Sequence, residues 1–210
     1  MRHTLISPGG FLDWRDTANR TMAYPVDPAA APILVQGAMN GLPTVRFRGV
    51  PGAGLKFDNS LFRHLTTFTL AAVVSRAATG SDYPRVFLNG NVNESVSIFY
   101  SPNATDVYVK FGFSDTLTGS PPPVNVVSLL EWSYDGTTRE YKSNCVLVAS
   151  DQPATGPPVA TSDTGCIGGD QSSGFDGLIA ALVLCTPALG QADALALRTY
   201  LSNRYGLVTP

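Results

Sequence analysis

The sequence predicts an all-β protein, a two-sheet antiparallel sandwich closed by one short C-terminal α-helix. Three observations carry that expectation. Short apolar runs recur along the chain, separated by clusters of Asn, Gly, Pro and Ser that favour turns. Leu178 to Cys185 is a nearly unbroken apolar run, the pattern of a strand covered on both faces. Beyond Pro187 the period changes, because Ala194, Leu197, Leu201 and Tyr205 recur at helical spacing and Gly206 supplies a stop.

Met1 to Gly10 reads as an N-terminal arm (residues 1–10), and residues 11–210 as one domain, a length normal for a single sandwich. Phe11 to Asp16 opens that domain. Residues 17–43 carry many Pro, Ala and Gly and read as a long ordered surface loop, anchored by Met22, Tyr24, Ile33 and Val35. Strands are expected at Thr44 to Arg48, Leu55 to Phe57 and Phe68 to Ser75. In the last of these, Phe68, Leu70, Ala72 and Val74 make one face heavily apolar. Further strands follow at Arg85 to Leu88, Val96 to Tyr100, Val107 to Phe113, Val124 to Tyr134 and Thr138 to Tyr141. Asp135-Gly136 between the last two signals a tight hairpin, since both residues tolerate positive φ. Pro121, Pro122 and Pro123 cannot donate to a ladder and mark a stiff extended connection.

Apolar residues form 44% of the 210 and charged residues only 14%, below the roughly 25% of an average soluble protein. Such a surface suits a subunit packed in an assembly, or a face that meets neutral ligands such as glycans. The net charge of −2 and the scattered basic residues give no stripe for a polyanion, so nucleic acid is not an expected partner. No apolar run approaches the roughly 20 residues of a spanning helix, and the opening residues lack the apolar core of a secretory signal. Cys145, Cys166 and Cys185 show none of the close pairing of metal sites. Cys185 is expected buried and reduced; Cys145 and Cys166 stand open between free thiols and a cross-strand pair.

Phe175-Asp176-Gly177, followed by Tyr200, Leu201, Arg204, Tyr205, Gly206 and Leu207, resembles the end of a concanavalin A-like jelly roll of the laminin-G-like type. Trp14, Arg15 and Asp16, then Asn40, Gly41, Leu42, Pro43, Val45, Arg46, Phe47 and Gly49, are similar to that family's early segment and strand. The resemblance spans most of the chain and implies the jelly-roll form of the sandwich. It departs at Ala181, where the family usually places Glu after the Ile-Ala pair. A copy that opens at Met1 with no signal or linker looks like a bacteriophage virion component. The expected function is a structural protein exposed on the particle, as capsid decoration or part of the tail, made in the host cytoplasm and with weak glycan adhesion. Other capsid or tail subunits, further copies of the chain, and a cell-surface glycan are the expected partners. A free-standing lectin is the alternative, and a glycan hydrolase or lyase the remote third.

Glycan cleavage needs two flanking carboxylates, and the chain has only Glu94, Glu131 and Glu140, without the Glu-x-Asp-x-Glu strand of glucanases with this fold. His3 and His64 lack a neighbouring nucleophile motif. The chain is therefore read as non-enzymatic, with no catalytic residue, cofactor or metal. Calcium-type loop acids are present singly at Asp82, Asp106, Asp115 and Asp170, without a cluster. For glycan binding, Tyr83 offers a stacking ring and Asn89, Asn91 and Asn93 offer amides. The same three Asn equally fit turn positions, where their side chains satisfy backbone groups.

Overall fold

In the computed structural model, two antiparallel sheets face each other across an apolar core. The residues described are 22–60, 62–77, 83–90, 95–103, 105–112 and 115–207, with the backbone alone at 14–15. The expected arm, residues 1–10, lies outside them. The eight-stranded sheet runs in the order β1 (Trp14–Arg15), β2 (Met22–Pro25), β5 (Leu55–Asp58), β14 (Thr164–Ile167), β7 (Arg85–Leu88), β8 (Val96–Tyr100), β9 (Val107–Phe111) and β10 (Asp115–Gly119). The seven-stranded sheet runs β13 (Val146–Asp151), β12 (Arg139–Ser143), β11 (Ser128–Tyr134), β6 (Phe68–Arg76), β15 (Asp176–Cys185), β4 (Leu42–Arg48) and β3 (Ile33–Met39). One helix, α1 (Gln191–Tyr205), follows. The expected all-β sandwich with a short C-terminal helix is the fold observed.

Strand alternation builds the core. Phe68, Leu70, Ala72 and Val74 of β6 face inward with Trp132 and Tyr141, opposed by Val96, Ile98, Tyr100, Val107, Val109 and Phe111 from the other sheet. Trp132 stacks on Tyr141 at 5.7 Å with a 12° interplanar angle. Each such large apolar side chain contributes roughly 1.5–3 kcal/mol on burial. Ala71 and Val73 leave β6 on the opposite face, where they meet Leu129, Ala180, Ala181, Leu201 and Tyr205 in a second cluster. The helix therefore covers the outer face of the seven-stranded sheet, which is why β6 and β15 are apolar on both sides.

β15 breaks its alternation with a bulge between Ile179 and Ala181. Ile179 and Leu182 both reach the inter-sheet core, although three positions apart, while Ala180 and Ala181 both lie under the helix. The Tyr205 hydroxyl donates to the Ala180 carbonyl at 3.0 Å. Arg198 adds a bidentate clasp to Glu131 at 2.6 and 2.7 Å, binding α1 to β11. At the other side of the sandwich, fully buried Arg139 of β12 spans the two sheets. It donates to the Asp115 and Asp151 carboxylates and to the Val109 and Asp115 carbonyls, and its guanidinium lies 4.5 Å from the Phe111 ring centre.

Several strands differ from the sequence expectation. The excursion over 17–43 contains β2 and β3; its anchors Met22, Tyr24, Ile33 and Val35 all lie on these strands. β10 is polar, β14 contains Gly165, and β13 is an edge strand with exposed Val146 and Leu147, so none carried a clear strand signal. The expected strand over Val124 to Tyr134 begins only at Ser128. Asp135 does set the β11–β12 turn, where its carboxylate accepts from the Thr137 and Thr138 amides at 2.8 and 2.7 Å. Cys145 sits in the β12–β13 turn and Cys166 on β14 in the other sheet, so the cross-strand pair does not form, and all three thiols are free. Cys185, expected buried, is half-buried at the end of β15.

Candidate functional site

Side chains of β8 and β9 alternate between the core and the outer face of the eight-stranded sheet. Val96, Ile98, Tyr100, Val107, Val109 and Phe111 point inward, so Phe99, Tyr108 and Lys110 point outward. Phe99 opposes Tyr108 in register, with ring centres 5.3 Å apart edge to face. Tyr83, two residues ahead of β7, brings its ring 5.7 Å from Phe99, and the Lys110 ammonium lies 5.5 Å from the same ring. The result is a group of three aromatic rings on the outer face of the eight-stranded sheet, in which Phe99 is buried beneath Tyr83, Tyr108 and Lys110 and the two tyrosines remain open to solvent. Tyr83 is 47% exposed and holds φ +53°, a left-handed conformation that costs a bulky residue about 1–3 kcal/mol.

The four sequence-selected residues separate. Tyr83 belongs to this aromatic surface. Asn89 does not: it is 0% exposed, its amide donates to the Phe62 carbonyl at 2.7 Å, and its backbone N–H bonds Val96. A side chain so held pins one loop to another and cannot face a ligand. Asn91 and Asn93 lie outside the described residues. Phe99 and Tyr108 were not singled out in the sequence, although their alternation with Ile98 and Val109 carries the signal.

A second surface lies on the far side of the sandwich, between the β3–β4 hairpin and the end of α1. Tyr200, Asn203 and Arg204 share one helix face at i, i+3 and i+4. Asn40 and Gly41 form a two-residue turn at φ +48° and +72°, placing Asn40 and Leu42 opposite them. The Asn40 amide donates to the Arg204 carbonyl at 2.9 Å, tying hairpin to helix across 164 residues of sequence. The depression so formed has a volume of about 470 Å³ and is lined by Asn40, Leu42, Tyr200, Asn203 and Arg204. Tyr200 is 56% exposed. Contact with the Tyr205 side chain, and then with Tyr200, raises the Arg204 pKa against the opposing effect of burial.

Other acids are already engaged. Glu131 is held by Arg198, Asp115 by Arg139, and Asp170 by Arg85 together with the Ser172 and Ser173 amides. Asp106 accepts from the Thr105 hydroxyl, and Asp82 lies outside the described residues. Among the described residues, no group of three or more His, Cys, Asp or Glu gathers for a metal, and no helix is long and apolar enough to cross a membrane.

No family model matches the chain, and no curated protein matches it in sequence. Solved structures do share its fold. A Trypanosoma rangeli sialidase in complex with a difluorinated keto-deoxy-nononic acid superposes with a TM-score of 0.69 at 13% identity, over 96% of this chain and 32% of that one. Domain 4 of AbnA, a GH43 extracellular arabinanase from Geobacillus stearothermophilus in complex with arabinotriose, gives 0.53 at 15% identity over 91% and 82%. The enzymatically active domain of bacteriophage CBA120 tailspike protein 2 gives 0.62 at 14% over 89% and 31%. The chain thus spans about a third of the sialidase and tailspike chains. These likenesses correct the expectation of a non-enzymatic chain, because the fold recurs inside sialidases and an arabinanase. An inventory of acids asks only whether 210 residues cleave a glycan unaided, whereas in the sialidase the shared sandwich is one part of a longer chain. At these identities the likeness establishes the fold, and no neighbour's catalytic residue transfers to this sequence.

Proposed function

We propose that this chain is a glycan-adhering module exposed on a bacteriophage particle, built on a concanavalin A-like sandwich of the laminin-G-like type. The observation that carries the reading is the pair of solvent-reaching tyrosines, Tyr83 and Tyr108, held over the buried Phe99 ring on the outer face of the eight-stranded sheet. Aromatic rings at a wet surface are stable platforms for the apolar faces of sugar rings, and a rigid sheet holds them without a further ordering cost on binding. The left-handed Tyr83 backbone accords with a residue held for contact rather than for chain geometry. The arabinanase domain that shares the fold holds an arabinotriose, and the tailspike domain belongs to a bacteriophage, both of which support the reading. In the particle the chain packs against capsid or tail subunits and further copies of itself.

Two measurements test this. Purified particles should contain the chain at a fixed ratio to the shell subunit by quantitative mass spectrometry. On a glycan array, the wild-type chain should bind, and Tyr83→Ala with Tyr108→Ala should lose at least tenfold in affinity while keeping its thermal transition. Binding without particle incorporation would make the chain a free lectin; no array binding would end the adhesion reading.

A further inference from the structure

The depression at the end of α1 contains a guanidinium with no internal anion. Arg46, Arg63, Arg85, Arg139 and Arg198 each hold a carboxylate, and Arg48 and Arg76 each donate to backbone carbonyls. Arg204 has only the Tyr205 ring, 5.8 Å from its guanidinium carbon, and Tyr200 beside it; among the described residues it has no carboxylate partner. Around it stand the exposed Tyr200 ring, Leu42, and the Asn40 and Asn203 amides.

These parts are complementary to one chemical class. A tyrosine ring and a leucine suit the C–H face of a pyranose, amides suit its hydroxyls, and a guanidinium fork suits a planar carboxylate. The helix C-terminus would oppose an anion, but its last carbonyls are already capped: the Asn40 amide bonds the Arg204 carbonyl and the Leu207 N–H bonds the Ser202 carbonyl. The cap uses the Arg204 backbone, and the guanidinium itself contacts the Tyr205 and Tyr200 side chains without meeting a carboxylate among the described residues. The geometry points to a second glycan subsite here, selective for a sugar that carries a carboxylate, with Arg204 receiving the carboxylate and Tyr200 stacking the ring. This rests on the glycan-adhesion reading and adds a site on the opposite side of the sandwich from Tyr83.

The test uses the full chain with trigalacturonate and with an oligosialic acid trimer, each beside its carboxyl-reduced form, by isothermal titration. At least one acid should bind about tenfold or more tightly than its reduced form, the factor that 1.4 kcal/mol produces. Arg204→Gln should abolish that preference, Arg204→Lys should restore part of it, and Tyr200→Ala should weaken both forms. Tyr83→Ala should leave the acid preference intact. Equal binding of acid and reduced forms, or a preference that survives Arg204→Gln, overturns the subsite while leaving adhesion at Tyr83 standing. No binding of either acid overturns it as well, and the array result then decides separately whether the chain adheres to glycans at all. Thermal melts of each variant show that the helix and its cap remain in place.

Discussion

Replacing Arg139 with Met removes the clasp that joins the two sheets beside β10 and β13. The side chain is fully buried and donates five hydrogen bonds, two of them at 2.6 and 2.7 Å to different carboxylates. Met approximates its volume but leaves Asp115 and Asp151 without their shared cation and removes a donor from the Val109 carbonyl. Removing one partner of a buried ionic group costs about 3–5 kcal/mol. The lower end is expected here, because Asp115 and Asp151 retain 20% and 34% side-chain exposure and water can take up part of the lost bonding. At that lower end, a chain of this size should lose roughly 6–12 °C in Tm. Urea unfolding followed by fluorescence reads it directly, since Trp132 stacks on Tyr141 inside the same sheet. Arg139→Lys should fall between wild type and Met, as an ammonium keeps the charge but cannot span both carboxylates. A loss below about 1 kcal/mol for Arg139→Met, the scale of an exposed ion pair, would refute the claim that this group couples the sheets.

Two further outcomes follow from packing and burial. Gly165→Ala would place a methyl group 2.2 Å from the Phe57 ring, which Phe62 and Phe87 hold at 5.9 and 6.0 Å. Overpacking of this kind costs about 1–3 kcal/mol, to be read as a lower urea midpoint, and Gly165→Ala with Phe57→Leu should recover part of it. Burial pushes the Cys166 thiol up from 9.0 to about 11. Between those values the unfolded chain holds fewer protons, so this contribution to stability is full below pH 9 and is lost as pH rises through about 11. Iodoacetamide at pH 8, followed by peptide mass spectrometry, should therefore label Cys166 far more slowly than the same cysteine in the unfolded chain; equal rates would contradict the burial.

Period and punctuation revealed the strands with strong alternation and the terminal helix. β7 and β8 begin and end where the sequence places them, and Ala194, Leu201 and Tyr205 are buried as the helical spacing expects. The missed strands have two causes: β2 and β3 sit among prolines and glycines, while β10 and β14, short of apolar side chains, are paired along β9 and β5. At the candidate surfaces, Tyr83 was legible because aromatic and amide residues crowd its segment. Asn89 misled because a turn amide and an inward-pointing amide have the same local sequence. The Tyr200 depression needs Asn40 and Leu42 to arrive from a distant hairpin, and one chain read in order contains no signal for that meeting.

The bulge at Ala180 reaches beyond the strand that contains it. A bulged residue stands outside the regular ladder, and here its oxygen is taken by Tyr205. Deleting Ala180 would restore unbroken alternation to β15, yet it would take the docking point away from the helix. Strand length and helix anchorage are thus one inherited trait: a lineage that trims the surplus residue must find a new acceptor for the tyrosine, or let the depression beside Tyr200 come apart with its wall.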